Sequence, residues 1–300
     1  MGQPGIRGQV VKNASMRKYT SMKVGGTVPY LLYPRDEEDV SAAIGWFRHR
    51  NLPFRFLGNG TNVIVADSGL NMGVIRTTRI RHLQFKKTDG GALVEVAAGM
   101  PLKLLISQCA ERRLSGIEKL YGIPGTVGGA IKMNAGSFGV SISDCLTSVK
   151  FVGLNGVIRS IGKKDIKFGY RTSSFCKGEC ILAASFELRD ADQGQIRADM
   201  DYVWHERQEK HPMELPSAGS VFKNKDGNPS WRYIDQAGLR GFRIGDACIS
   251  EKHPNFIVNM GNASASDIKR LIETVKKRVQ EATGVTLEEE VELWGFNGQN

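Results

Sequence analysis

Residues 58–62, GNGTN, and 121–139, YGIPGTVGGAIKMNAGSFG, are the two stretches best suited to gripping an anion with main chain alone. Six of the nineteen residues in the second are glycine, yet Ile123, Val127, Ile131 and Met133 run between them, so it is not a polar linker. Glycine reaches positive φ without strain, so consecutive N–H groups can turn into one concavity, and such a nest suits a pyrophosphate. Asn59, Thr61 and Asn62 add side-chain hydrogen bonds to the first loop, and Pro124 stiffens the second. Alone, the first loop reads better as an ordinary tight hairpin. The pair suggests a long ligand such as a dinucleotide. A Rossmann loop is excluded because a strand, not a helix, follows GNGTN, and a Walker loop is excluded because no Gly-Lys-Ser/Thr is present.

Three further stretches carry groups that could move charge or protons. Arg171, in GYRTSSF, has a planar guanidinium able to hold a carboxylate at two points; the plainer reading is a surface salt bridge. Ser217 and Ser220, in PSAGSVFKN, are rival hydroxyls, and either alone reads as a turn serine. If GSVFKN is extended, Ser220, Phe222 and Asn224 share one face. In LEEEVELWG an extended strand puts Glu288, Glu290 and Glu292 on one face and Leu287, Glu289, Val291 and Leu293 on the other. Three acids on a wetted face is the plainer reading there.

The elements that must position these groups are those of a mixed α+β chain. Apolar stripes with helical spacing occur at 36–52, 100–116 and 264–284, the last opening on Ser and Asp and stopping at Gly284. Strand-like runs are VPYLLYP, PFRFL, NVIVAD, ALVEVAAG, CILAASFEL, NFIVN and EEVELWG. Asn155-Gly156, between two β-rich runs, predicts a hairpin over 149–161. The polar stretch 191–215 reads as a connection between lobes.

Composition narrows the class. With 300 residues and 41% apolar content the chain can fold as two domains, and it has no run long enough for a membrane span. Its N-terminus lacks the apolar core of a secretory signal, which points to the cytoplasm. The five scattered cysteines read as free thiols, and Cys176 and Cys180 form a lone C-x3-C without a partner pair, so no metal is expected. A net charge of +10, spread along the chain without a basic–aromatic signature, favours small phosphorylated ligands over nucleic acid.

GNGTN, GIEKLYGIPGTVGGAIKMNAGSFG, YRTSSF, PSAGSVFKN, KHPNFIVN and LEEEVELWG occur in that order. Together, from about Tyr19 to Gly295, they resemble the UDP-N-acetylenolpyruvoylglucosamine reductases (MurB). The resemblance implies an FAD-binding lobe of the vanillyl-alcohol-oxidase (PCMH-type) superfamily plus a C-terminal α+β substrate-binding lobe. The expected division is 1–78 and 79–195 for two FAD-binding subdomains and 196–300 for the substrate domain, with a strand near 287–295 returning to the first. FAD would lie on Gly58, Asn59, Gly60, Thr61 and Asn62 of one loop. On the other it would meet Gly122, Ile123, Pro124, Gly125, Thr126, Gly128, Gly129 and Ala130, and then Asn134, Ala135 and Gly136. Neither loop contains His or Cys, so the flavin is expected to be non-covalent.

The implied activity is that of a UDP-N-acetylmuramate dehydrogenase: NADPH-dependent, FAD-mediated reduction of UDP-GlcNAc-enolpyruvate to UDP-N-acetylmuramate in peptidoglycan precursor synthesis. The family pattern places its catalytic arginine at Arg171, its proton donor at Ser220 and its glutamate at Glu290. Lys210 matches a phosphate-binding lysine, and Asn224 and Asn255 match substrate contacts, with His253 a weaker neighbour. Asn59, Thr61, Lys225 and His211 stand where the family often has Gly, Ser, Pro and Gln, which loosens the substrate-lobe assignments. The chain lacks an inserted tyrosine loop and so resembles the smaller class. The expected protein is a cytoplasmic monomer with no nucleic-acid or membrane partner. The competing readings are another FAD-dependent oxidase of the same superfamily and a non-catalytic nucleotide- or RNA-binding protein.

Overall fold

The computed structural model describes residues 5–175, 178–225 and 227–296. Cys176 lies outside them; Cys109, Cys145, Cys180 and Cys248 are free thiols. The fold is α+β, and contacts divide the chain into two compact units. The first comprises residues 1–12, 30–59 and 72–206, the second 13–29, 60–71 and 207–300. No helix of the described residues is long and apolar enough to cross a membrane.

The first unit is built on two sheets. In the smaller, Phe54–Leu57 and Thr27–Tyr33 flank Gly73–Arg76 in parallel, with Tyr30 and Phe54 both opposite Gly73. Parallel strands are covered on both faces, which is why VPYLLY is almost continuously apolar. Helix α1 (Glu37–His49) packs on it, capped by Asp36, whose carboxylate accepts the Asp39 N–H at 3.0 Å. Its apolar face is Val40, Ala43, Ile44 and Phe47, all fully buried with Leu32 and Ile75. Gly73 makes room for this helix: a Cβ there would lie 2.0 Å from the Phe47 ring.

The larger sheet is antiparallel, in the order Ile158–Gly162, Leu146–Val152, Cys180–Asp190, Gly91–Ala97, Leu83–Thr88, with Leu114–Ser115 beside Cys180–Asp190. The hairpin expected at 149–161 is present; Val152 pairs with Ile158, and Gly156 turns the chain at φ 78°. Helix α2 (Leu102–Glu111) buries Leu102, Leu105, Ile106 and Cys109 in the same core as Val94, Val96 and Phe186. Helix α3 (Val127–Lys132) starts inside the second glycine stretch.

The stretch 191–215 differs from the sequence reading. Most of it is helix α4 (Gln193–Lys210), not an extended connection. Ile196 and Val203 are buried, Met200 and Trp204 are half-buried, and the buried Arg207 continues the row, so the apolar stripe is narrow. A stripe that thin among so many charged residues conceals the helix from composition.

In the second unit, Ser217–Ser220, Phe256–Asn259, Ala247–Ile249 and Arg243–Ile244 form an antiparallel sheet in that order. The short helix α5 (Ser230–Gln236) contributes Ile234, and the long α6 (Ala265–Thr283) contributes Ile268, Leu271, Ile272, Val275 and Val279 to its core. Helix α6 has a reciprocal cap, Ser264 with Asp267, and ends on Gly284 at φ 73°. Val63–Val65 pairs in parallel with Glu292–Trp294, close to the chain's end.

Candidate active site

The strand Phe54–Leu57 delivers Gly58, and the two glycine stretches meet there. A Cβ on Gly58 would lie 2.6 Å from Thr126 Oγ1. Thr126 is committed as the cap of α3, accepting the Gly129 N–H at 3.3 Å. Gly128 donates to the Ala98 carbonyl at 2.9 Å, and a Cβ there would stand 2.7 Å from the Ala98 methyl. Gly122 and Gly125 take φ of 83° and 134°, values that glycine reaches cheaply. In the second unit Gly60, at φ 69°, presses on the Tyr19 carbonyl, 2.2 Å from where its Cβ would be. The bareness of Gly58, Gly60 and Gly128 is therefore taken up first by the protein's own chain, which folds each loop tightly enough to present N–H groups.

Asn134 tests whether the second stretch fits a flavin. Its backbone is left-handed, at φ 41°, and its Nδ2 donates to the Gly169 carbonyl at 3.0 Å. Its Oδ1 is buried and accepts no hydrogen bond. A buried orphan acceptor is costly unless a donor meets it. The imide N–H of an isoalloxazine is such a donor, so the residues fit FAD.

Arg171 sits at the tip of a tight hairpin. Phe168 pairs with Ser173 and Gly169 with Thr172, leaving Tyr170 and Arg171 as the turn. Arg171 is left-handed, at φ 53°, a conformation that costs a side-chain-bearing residue about 1 kcal/mol or more and tends to persist where function needs it. Its guanidinium stacks over the Tyr170 ring at 5.1 Å. A Cβ on Gly136 would lie 3.4 Å from Arg171 Nη1, in van der Waals contact, so the guanidinium rests beside the bare backbone of Gly136. Asn134, Gly136 and Arg171 thus form one assembly within the first unit. Ala130 and Ala135 are buried in the core of the unit, and Ile123 packs against that core.

The second unit joins Ser220 to Glu290 through main chain. The strand beginning at Ser217 ends at Ser220, opposite Phe256, after a register break at Gly219, which lies at φ 78°. The expected alternation Ser220–Phe222–Asn224 is not kept, since Val221 and Phe222 are both buried. Beyond the strand, Val221 accepts the Glu290 N–H at 2.7 Å, and Lys223 donates to the Glu288 carbonyl at 2.9 Å. The segment 288–290 therefore runs beside 221–223. Asn62, from the first glycine loop, donates to the Glu290 carbonyl at 3.0 Å and accepts the Glu292 N–H at 2.9 Å.

The three acids do not form one wet face. Regular strand is confined to Glu292–Trp294, and Leu287, Val291 and Trp294 are the buried positions. Glu288 is paired with Lys223, whose ammonium holds the carboxylate below its usual range. Glu289 is paired with Lys276 at 2.8 Å. Neither lysine follows from the sequence, because each partner comes from a distant element.

The remaining expected residues have structural employment. Asn255 is buried, and its carboxamide bonds both main-chain groups of Phe222. Asn224 is exposed and accepts the Ser230 N–H at 3.2 Å at the start of α5. Lys210 is exposed at the end of α4. Next to it His211 stacks among His253 and Phe256, and burial pushes its pKa down to about 4, helped by the nearby positive charge of Arg207. Ser217, the rival hydroxyl, uses its carbonyl to accept from Ser21 Oγ at 2.6 Å. Arg76 escaped the sequence reading; it donates to the Gly58 carbonyl at 3.2 Å and so fixes the first loop.

Two domain families match this chain. Residues 28–162 match an FAD binding domain and residues 211–294 match the C-terminal domain of UDP-N-acetylenolpyruvoylglucosamine reductase. A reductase of that name from Syntrophus aciditrophicus is 37% identical over 98% of this chain and 94% of its own length. One from Thermotoga petrophila is 42% identical over 94% of this chain and 97% of its own. The crystal structure of the Thermus caldophilus MurB superposes with a TM-score of 0.80 at 35% identity, covering 96% of this chain and 99% of that one. The chain belongs to the UDP-N-acetylenolpyruvoylglucosamine reductase family.

Proposed function

We propose that this chain reduces the enolpyruvyl group of its UDP-sugar substrate with Arg171, Ser220 and Glu290 as the reacting groups. The chain is an FAD-dependent oxidoreductase acting on UDP-N-acetylenolpyruvoylglucosamine with NADPH, a step of peptidoglycan precursor synthesis. FAD, when bound, supplies the hydride passed from NADPH to the substrate. The chain's own work is to hold the substrate and manage the charge and the proton.

As hydride reaches the β-carbon of the enol ether, negative charge develops at the α-carbon and spreads into the carboxylate. Arg171 is held at the tip of its turn, rests beside Gly136, and offers a two-point grip on that carboxylate. Removing a preorganised contact of this kind costs about 3 kcal/mol of transition-state stabilisation. Ser220 supplies the proton to the α-carbon; a hydroxyl is a weak acid, but an enolate carbon is a strong base. Glu290 tunes the charge around that proton transfer. Lys210 and Asn224 bind the phosphates and sugar, and Asn255, through Phe222, holds the chain between Ser220 and Asn224.

The observation that carries this reading is the pairing of Val221 with Glu290, which fixes the residue after Ser220 to the main chain of the acid. The test is Ser220→Ala. Flavin reduction by NADPH stays at the wild-type rate, while reoxidation by the UDP-sugar slows about 10²–10⁴-fold. Reoxidation at the wild-type rate would remove Ser220 from the mechanism. The reading also takes the enzyme as a cytoplasmic monomer without nucleic-acid or membrane partners, which sedimentation and cell fractionation check directly.

A further inference from the structure

The first unit carries a second, unassigned concavity. It is a cleft of about 840 Å³ at the C-terminal ends of the parallel strands Thr27–Tyr33 and Gly73–Arg76. Arg7, Arg35, Arg79, Arg81 and Tyr33 line it, and among the described residues no carboxylate does. Arg7 is compensated by Asp36 at 2.6 Å, Glu38 at 3.0 Å and Asp39 at 3.4 Å. Arg35, Arg79 and Arg81 make no ion pair among the described residues.

The cleft is built, not incidental. Gly8 lets the N-terminal segment lie on Tyr33, since a Cβ there would fall 1.9 Å from the Tyr33 carbonyl oxygen. The Arg7 N–H is tied to Asp39 at 3.0 Å. Arg79 donates to Gln9 Oε1 and stacks over Tyr33 at 4.6 Å, and Arg81 Nε donates to the Thr78 carbonyl at 2.8 Å. These neutral partners orient the guanidinium groups. Asp39, one of the three carboxylates on Arg7, also accepts the Arg35 N–H at 2.9 Å. Four guanidinium groups against three carboxylates leave the wall with a net positive charge, which attracts an anion. Planar guanidinium forks match phosphate oxygens, and the volume falls in the range of about 300–1,000 Å³ usual for ligand sites.

We infer that this cleft is an anion site for a phosphate-bearing small molecule of nucleotide size, separate from the two glycine loops. Arg76 links it to them, donating to the Tyr33 hydroxyl at 3.0 Å and to the Gly58 carbonyl at 3.2 Å. The 2′-phosphate of the hydride donor and the phosphates of an independent nucleotide present the same chemistry to it.

The test is calorimetric titration of the FAD-loaded enzyme with inorganic pyrophosphate at low salt. The expected result is one site with Kd of about 1 mM or tighter. In Arg35→Gln/Arg81→Gln that binding weakens about tenfold or more, with flavin content and melting temperature unchanged. Arg35→Gln alone gives a smaller loss, should the double variant fold poorly. No binding by the wild type, equal binding by the variant, or binding that releases flavin overturns the inference; the last outcome would put the probe on the glycine loops. Steady-state kinetics identify the source. A KM raised for NADPH but not for NADH assigns the cleft to the donor's extra phosphate. Unchanged KM for both, with pyrophosphate binding lost, assigns it to a separate ligand.

Discussion

The Asn255 carboxamide holds both main-chain groups of Phe222, accepting its N–H at 2.9 Å and donating to its carbonyl at 2.8 Å. Val221, one residue earlier, donates to the Asn255 carbonyl at 2.8 Å and accepts from Glu290. One buried asparagine thus fixes the segment that separates Ser220 from the acid. Asn255→Ala leaves two buried main-chain groups unpaired at about 1–3 kcal/mol each. Denaturant unfolding of the holoenzyme should show a loss of about 2–6 kcal/mol. Unchanged stability would mean that Phe222 finds other partners and that Asn255 is free to serve the substrate.

Gly136→Ala should disturb the 136–141 turn beside Arg171 while leaving the flavin bound. The new methyl would stand 3.0 Å from Ser141 Oγ and 3.3 Å from the Val140 carbonyl, so this turn must give by a few tenths of an ångström, and 3.4 Å from Arg171 Nη1, an ordinary contact. A shift of that size passed from the turn to the preorganised cation lowers kcat about tenfold. The absorbance ratio of flavin to protein should match the wild type; turnover at the wild-type rate would detach Gly136 from the placement of Arg171.

Gly58→Ala should weaken flavin retention. Its methyl would meet Thr126 Oγ1 at 2.6 Å, and relieving that contact moves either the first loop or the cap of α3. The flavin-to-protein ratio after gel filtration should fall several-fold. Adding Thr126→Ala removes the obstacle at the cost of the cap, about 1 kcal/mol, and should restore part of the flavin. A fully loaded Gly58→Ala protein would show that the two loops need not be in register.

His211 predicts a pH dependence of stability. Burial lowers its folded-state pKa to about 4 from an ordinary value near 6.5, and Arg207, His253, Lys252 and Lys210 push the same way. The folded state therefore prefers the neutral ring. This contribution is complete above about pH 6.5 and disappears as the pH falls toward 4. Allowing for the ring's partial exposure, it is worth about 2 kcal/mol. His211→Gln should flatten the fall in melting temperature between about pH 7 and pH 4; an unchanged slope would assign the acid sensitivity elsewhere.

Much of the architecture was legible because local rules and tertiary packing agree. The stripe Ile268–Val279, with Ser264 and Asp267 before it and Gly284 after it, is α6 with its cap and stop. Asn155-Gly156 is a hairpin turn, and the apolar run VPYLLY is a buried parallel strand. Helix α4 was not legible, because its narrow stripe Ile196, Met200 and Val203 is diluted by the charged residues around it. The strand Glu292–Trp294 is shorter than its alternation suggests, because the main chain of 288–290 pairs with 221–223 instead, Phe222 bridging to Glu289.

The sequence by itself determined the family, the two glycine loops and the identity of the groups able to handle charge, since each is a property of residue type and order. The tertiary structure decided what those groups are for. It spent the bareness of Gly58 and Gly128 on neighbouring chain, neutralised Glu288 and Glu289, turned Asn255 into a main-chain clamp, and gathered four arginines from three stretches of chain into one cleft. The physical reason is distance. Hydrogen bonds, ion pairs and steric contacts act over a few ångströms, and the partners that meet at that range here lie tens to hundreds of residues apart, where no local pattern records them.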